Sequence, residues 1–309
     1  MSRSILGIAP ALVLVPALAF AQDARTSGGM DPHAGHMMIE QQAPAAQAPP
    51  QAAPVNEKLP ADAAGALDAL KRSSRHGEYV DVALPGSSTK IRTWVVYPER
   101  KDKAPVVLVI HEIFGLSDWV RGVADQLAKE GFIAVAPDLI SGMAPKGGGS
   151  EEVGDQGATA VIRNLKPEDA IARLNAVRDY AIKLPAASGK SATIGFCWGG
   201  STSFSYAVAQ PALNAAVVYY GTSPSDPAAY QSIKAPVLGL YGGNDNRVTS
   251  TVPTAETEMK KVGKTYEPHV FDGAGHGFLR QQMGADGANM KATQQAWPLT
   301  VEFLRKNTM

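Results

Sequence analysis

Short apolar runs alternate with stretches of helical spacing from Pro105 to the end of the chain, and this alternation does most to narrow the folds open to it. Pro105–Ile110 is apolar at every position, the pattern of a strand buried on both faces. Trp119–Glu130 follows, with Val120, Val123 and Leu127 at helical spacing. The theme repeats, with strands predicted at Phe132–Ala136, Ser191–Phe196, Ala215–Tyr219, Val237–Tyr241 and Thr265–Phe271. Helices are predicted at Pro167–Lys183, Gly200–Ala209, Thr254–Val262 and Ala292–Arg305. Strands that return in the same direction need a crossover, and helices supply it, so the expected class is α/β: a mostly parallel sheet with helices on both faces. Ahead of this, Ala61–Arg75 carries Leu67 and Leu70 on one side of a helix. Tyr79–Leu84 and Ile91–Tyr97 read as two strands joined through Leu84-Pro85-Gly86-Ser87. With 45% hydrophobic residues in 309, the chain can bury a sizeable core.

The 29 Lys+Arg balance 29 Asp+Glu, and the densest basic cluster, Arg100-Lys101-Asp102-Lys103, reads as a solvated loop. Nucleic acid is therefore not an expected partner. Residues 1–21 have a charged start, an apolar stretch from Ile5 to Phe20 and a small-x-small end at Ala19-Phe20-Ala21. This is the form of a secretory signal peptide; the stretch is short for a membrane span and contains Pro10 and Pro16. The mature chain is expected to be exported, periplasmic or secreted, with no stable membrane insertion after cleavage. Residues 22–60, rich in Ala, Pro and Gln, read as a flexible tether. Within it, His33 and His36 lie among Met30, Met37 and Met38, a set able to capture a soft metal, although a segment without preorganised geometry reads more simply as a linker. The folded domain is expected over residues 61–309.

The chain has one cysteine, so it forms no internal disulfide. Cys197 stands in Gly195-Phe196-Cys197-Trp198-Gly199-Gly200, between an apolar strand and a helix. That is the Gly-x-nucleophile-x-Gly elbow of α/β-hydrolases with Cys in place of Ser. The turn is so tight that side chains two residues either way would collide with strand or helix, and the helix start favours thiolate over thiol. A nucleophile needs a base and the base an orienting acid, which follow in the order nucleophile, acid, histidine. His276, in the glycine-flanked Gly273-Ala274-Gly275-His276-Gly277 loop, is the expected base; His269 lies within a predicted strand. Asp245, after Gly242-Gly243-Asn244, is the expected acid; Asp226 sits in a Ser-Pro-Ser-Asp-Pro turn and Asp272 is too near His276 in sequence. The oxyanion would rest on the backbone N–H groups of Trp198 and Ile113. These roles call for no metal and no organic cofactor. No Gly-x-Gly-x-x-Gly follows the first buried strand, and Gly147-Gly148-Gly149 lacks the context of a phosphate cradle.

From about Ala61 to its C-terminus the chain resembles the dienelactone hydrolase family of α/β-hydrolases. The resemblance rests on His111-Glu112-Ile113-Phe114-Gly115, Ala136-Pro137-Asp138-Leu139, the Cys197 elbow, Tyr219-Tyr220-Gly221, Gly-Gly-Asn-Asp245 and Gly-His276-Gly-Phe. It implies a Cys197–His276–Asp245 triad and a role for Glu112 in holding the resting thiol in check and in forming the thiolate when substrate enters. It also implies that Arg280, four residues after His276, anchors a substrate carboxylate. The only arginine between Asp138 and Pro167 is Arg163. Asp138–Leu165 reads as a loop and as the expected lid. The expected partner is a small-molecule ester or lactone, cleaved through a thioester intermediate. The alternatives are a polyester or lipid esterase, an acyl transferase, or a non-catalytic exported protein that binds a metal or ligand on a hydrolase scaffold.

Overall fold

The computed structural model describes residues 52–309. Residues 1–21 and the Met/His cluster of residues 30–38 lie outside the described residues. Of the segment assigned to the tether, residues 52–60 lie along the domain. Leu59 is buried, and the Glu57 carbonyl accepts hydrogen bonds from Lys129 Nζ (2.9 Å) and Gln126 Nε2 (3.2 Å).

The first elements are helix α1 (Ala66–Arg72) and strands β1 (Gly77–Ala83) and β2 (Lys90–Val96). β1 and β2 pair antiparallel from Gly77↔Val96 to Ala83↔Lys90, joined by a turn in which Gly86 takes the left-handed φ of 75°. Strand β3 (Ala104–Ile110), helix α2 (Asp118–Lys129) and strand β4 (Ile133–Pro137) follow, then helices α3 (Ser150–Ile162) and α4 (Pro167–Ala181). The second half comprises β5 (Ala187–Phe196), α5 (Trp198–Ala209), β6 (Ala215–Tyr219), β7 (Val237–Gly242), α6 (Asn246–Thr249), α7 (Val252–Lys261), β8 (Tyr266–Phe271) and α8 (Ala288–Thr308). The strands form one sheet in the order β1-β2-β4-β3-β5-β6-β7-β8, parallel from β4 through β8, with β1 and β2 antiparallel at one end.

Alternate residues of the central strands supply two separate cores. Val107, Val109, Ile194, Phe196, Val217 and Leu240 face the layer of α2 and α8. Val106, Leu108, Ile110, Ala216, Val218 and Tyr241 face the layer of α4, α5 and α7. Burial on both faces explains why these strands read as continuous apolar runs rather than alternating ones. Truncating a residue of this kind to Ala costs about 2–5 kcal/mol for Leu or Ile.

The Asp138–Leu165 segment differs from its reading as a loop, since it contains the 13 residues of α3. Gly154 and Gly157 dilute the helical signal, and Gly154 interrupts the helix with a φ of 63°. The segment is held at its base by Asp138, a buried carboxylate that accepts the Ser150 N–H (2.7 Å), the Ser150 hydroxyl (2.7 Å) and the Ile140 N–H (3.2 Å). Among the described residues, no helix is long and apolar enough to cross a membrane.

Candidate active site

The chain runs from β3 outward to β4, then returns past β3 to β5 and continues in the other direction. Loops leaving the carboxyl ends of β3 and β5 therefore diverge, and a crevice opens between them. The β3 loop carries His111, Glu112 and Ile113; the β5 loop carries Cys197 and Trp198. Loops after β7 and β8 add Asp245 and His276 at the same end of the sheet.

Cys197 occupies the turn between β5 and α5 with φ 56° and ψ −116°, a region L-residues rarely enter. Backbone packs on backbone around it. A Cβ on Gly195 would overlap the Gly199 carbonyl, one on Gly199 would overlap the carbonyls of Ile110 and His111, and one on Gly200 would overlap that of Tyr219. The Cys197 N–H donates to the Tyr219 carbonyl at 3.1 Å, tying the elbow to the end of β6. The thiol is pushed up to about 11, first by burial and then by the Glu112 carboxylate; the Trp198 backbone N–H and the Arg247 charge pull it back.

His276 and Asp245 meet, with Nδ1 and Oδ2 2.5 Å apart and Asp245 7% exposed. With Asp245 ionised, Nδ1 is the donor and Nε2 remains for other work. The His276 loop is tied to α8 through Gly275 N–H and Asn289 Oδ1 (2.9 Å), while Asp245 is held by its own N–H to the Gly242 carbonyl (3.1 Å). The acids and base set aside from sequence sit elsewhere. Asp226 caps a 3-10 turn over Pro227–Ser232 through the Ala228 N–H, Asp272 is exposed, and His269 pairs with Leu240 within the sheet.

Glu112 is 4% exposed and lies 3.2 Å from Arg280 Nε through Oε2, but the Nε–H is misaligned for a hydrogen bond and finds no other acceptor among the described residues. The contact is a charge pair without directional bonding. Burial pushes the Glu112 carboxyl up to about 7 against the pull of Arg280, and Asp155 adds to the rise. The Arg280 guanidinium lies over the Phe114 ring, 4.5 Å from its centroid. Arg163 caps the C-terminal end of α3 and is exposed.

Ile113 and Trp198, the expected oxyanion donors, pack in one small apolar cluster with Ile140, Ala158 and Ile162. His111 braces both segments. Fully buried, it donates from Nδ1 to the Glu112 carbonyl (2.7 Å), accepts the Leu139 N–H at Nε2 (3.1 Å), and stacks on Trp198 with centroids 5.8 Å apart. This tautomer follows from the two partners, and burial lowers the imidazole pKa so that it stays neutral. Two further residues have no role assigned from sequence: Arg247, two positions after Asp245, whose charge acts on Cys197, and Tyr220 of the Tyr219-Tyr220-Gly221 segment, whose ring meets His276 edge-on at 5.2 Å. The Asp245 loop was a signal for the first; the contact of the second is visible only in the packing.

Among the described residues, no group of three His, Cys, Asp or Glu side chains is placed to hold a metal. The arrangement can carry acyl transfer, since it offers a nucleophile on a strained turn, an imidazole oriented by a carboxylate, and a crevice between diverging loops.

A doubly covered sheet with a cysteine on a strand-to-helix elbow at the crevice has the α/β-hydrolase fold. The sequence pattern of the dienelactone hydrolase family matches residues 91–308, and the chain belongs to that family, an ester/lactone hydrolase by class. A carboxymethylenebutenolidase of Pseudomonas sp. is 31% identical over 209 residues, covering 67% of this chain and 86% of that protein. Two solved structures share the fold. A dienelactone hydrolase-like promiscuous phosphotriesterase from metagenomic libraries has a TM-score of 0.66 at 22% identity, covering 77% of this chain and 100% of that one. A dienelactone hydrolase from Anabaena variabilis has a TM-score of 0.59 at 20% identity, with the same coverage.

Proposed function

We propose that this hydrolase cleaves its ester or lactone through a Cys197–His276–Asp245 triad and a thioester intermediate. The observation that carries the reading is the elbow itself, a strained cysteine whose flanking glycines pack backbone against backbone. The thiol proton passes to His276 Nε2, and Asp245 stabilises the imidazolium through Nδ1. The thiolate attacks the carbonyl carbon, and the oxyanion rests on the Trp198 and Ile113 N–H groups. The C–O bond breaks and the alcohol oxygen leaves with the proton from His276. Neutral His276 then takes a proton from water, the hydroxide attacks the thioester, and the acid departs as the thiol is restored.

Glu112 governs the first step. Burial first and then the Glu112 carboxylate raise the thiol, so the free site holds Cys197 unionised. A substrate carboxylate that pairs with Arg280 competes with Glu112 for that cation, so Glu112 picks up a proton more readily and its opposition to the thiolate falls. This supports a lactone or ester with a free carboxylate as the preferred substrate. Export of the mature chain is part of the proposal and rests on residues 1–21; fractionation of the producing cell is its check.

The deciding experiment is hydrolysis of a short-chain p-nitrophenyl ester and of carboxylated and neutral lactones by the purified chain, beside Cys197→Ala and a thiol-alkylated sample. Turnover by wild type that both treatments abolish is expected. Equal turnover by Cys197→Ala would remove the cysteine mechanism.

A further inference from the structure

Tyr220 combines two costly features, a strained backbone and an unpartnered hydroxyl, with a ring held firmly in place. It takes a left-handed φ of 38°, a strained conformation for an aromatic residue. Its side chain is fully buried, and the hydroxyl has no hydrogen-bond partner among the described residues. Its ring is fixed on several sides, against Phe196 (6.3 Å), Tyr219 (5.9 Å), Phe278 (5.4 Å) and His276 (5.2 Å). A buried hydroxyl without a partner costs stability that phenylalanine would not. The neighbouring Tyr219 shows the ordinary solution, with its hydroxyl bonded to Thr300 Oγ1 at 2.7 Å.

The surroundings of the Tyr220 hydroxyl indicate its use. The charges that act on it, after burial itself, are Glu112 from the β3 loop, Cys197 from the elbow, Tyr219 beside it and Arg280 from the loop after β8; the anionic groups raise its pKa further, and Arg280 opposes them. Asp245 and Arg247 act on the same Cys197 sulfur from the β7 loop and α6. The hydroxyl therefore remains protonated, a neutral donor among groups where an ionised Cys197 would add a second negative charge to that of Glu112. The backbone sets this position too. The Tyr220 N–H donates to the Leu240 carbonyl (2.9 Å), and the preceding Tyr219 carbonyl receives the Cys197 N–H (3.1 Å), so ring and nucleophile are mounted on the same two strand ends.

We propose that Tyr220 is a catalytic residue whose hydroxyl, unpartnered in the resting site, donates a hydrogen bond to the Cys197 thiolate as it forms. The inference rests on Cys197 being the nucleophile. Beside the Trp198 N–H, the Tyr220 hydroxyl adds a side-chain donor that gains its partner only in the activated state, so that its stabilisation is not spent on the resting thiol.

The test compares Tyr220→Phe with wild type and Tyr219→Phe in three measurements: the pH dependence of alkylation by iodoacetamide, kcat/KM on an ester substrate, and the melting temperature. A charge-assisted hydrogen bond to a thiolate corresponds to roughly one pH unit in thiol ionisation and about a tenfold change in rate. Tyr220→Phe is expected to move the alkylation profile up by about that unit and to lose about tenfold in kcat/KM, while melting at or above the wild-type temperature. Tyr219→Phe should show the opposite pattern, a lower melting temperature with the alkylation profile in place. A Tyr220→Phe protein with the wild-type alkylation profile and kcat/KM would overturn the proposal. So would one whose losses are matched by a lower melting temperature with no shift in the profile. Failure of the cysteine mechanism would show separately, as turnover that persists in Cys197→Ala.

Discussion

Two sets of polar side chains serve Cys197, and they differ in how completely they are partnered. His276 and Asp245 are bonded to each other, and their loops are tied by Asn289 and the Gly242 carbonyl. Glu112 and Tyr220 are buried and Arg280 is half-buried, yet Glu112 and Arg280 meet without hydrogen-bond geometry and the Tyr220 hydroxyl has no partner among the described residues. A satisfied pair has little to gain from a change of charge nearby, so it holds a tautomer and a direction. An unsatisfied set has a great deal to gain, and on the proposed mechanism it responds when a carboxylate or a thiolate arrives. Burial raises Glu112, in the responsive set, to about 7, and Cys197, at the centre of both sets, to about 11.

Breaking the centre that both sets serve has the largest effect. Cys197→Ala should lower ester kcat by about ten-thousandfold or more, measured by steady-state hydrolysis, with a melting temperature near wild type. Breaking the satisfied pair comes next. Asp245→Asn keeps the shape but misdirects the His276 proton, and a loss of roughly a hundred- to ten-thousandfold in kcat is expected; a loss below tenfold would mean that the imidazole needs no orienting acid. In the responsive set, Arg280→Met should weaken kcat/KM for a carboxylated lactone by roughly ten- to a hundredfold, and for a neutral p-nitrophenyl ester by far less. Equal losses on the two substrates would rule out carboxylate anchoring.

The smallest effect is on stability, and it sharpens the contrast by its sign. An unfolded chain ionises the Glu112 carboxyl in the usual carboxylate range, whereas the folded chain keeps the proton up to about 7. Folding stability from this group is therefore fully present below the ordinary range and is lost as pH climbs through 7. Glu112→Gln should raise the melting temperature by on the order of a few degrees at pH 8 and leave it nearly unchanged at pH 4, read from paired thermal melts. A gain of the same size at both pH values would locate the effect in packing rather than in charge.

The sheet was legible because strands buried on both faces leave uninterrupted runs such as Pro105–Ile110, and the elbow because glycines are demanded on either side of one cysteine. Each element foreseen from Ala61 onward has its counterpart within a few residues at the ends. The strand order was not legible, since nothing local tells β4 to lie between β2 and β3. Nor was α3, because Gly154 and Gly157 weaken the helical signal where Ala158 and Ile162 are held by packing. Asp245 and His276 stood out for their glycine-rich loops, whereas Tyr220 is legible only as part of the Tyr219-Tyr220-Gly221 segment, with no role attached. Its distinction is an absence, a missing hydrogen bond, and absences of that kind exist only in three dimensions.

The contacts among Gly195, Gly199, Gly200 and Gly221 have a further consequence. Because main chain meets main chain there, with no side chain interposed, the place where the sulfur is presented does not depend on how the surrounding side chains repack. The side chains of Ile113 and Trp198 pack in a separate small apolar cluster and take no part in the contacts that build the frame. Side chains of this kind can be replaced one at a time while the frame that presents the sulfur is inherited intact.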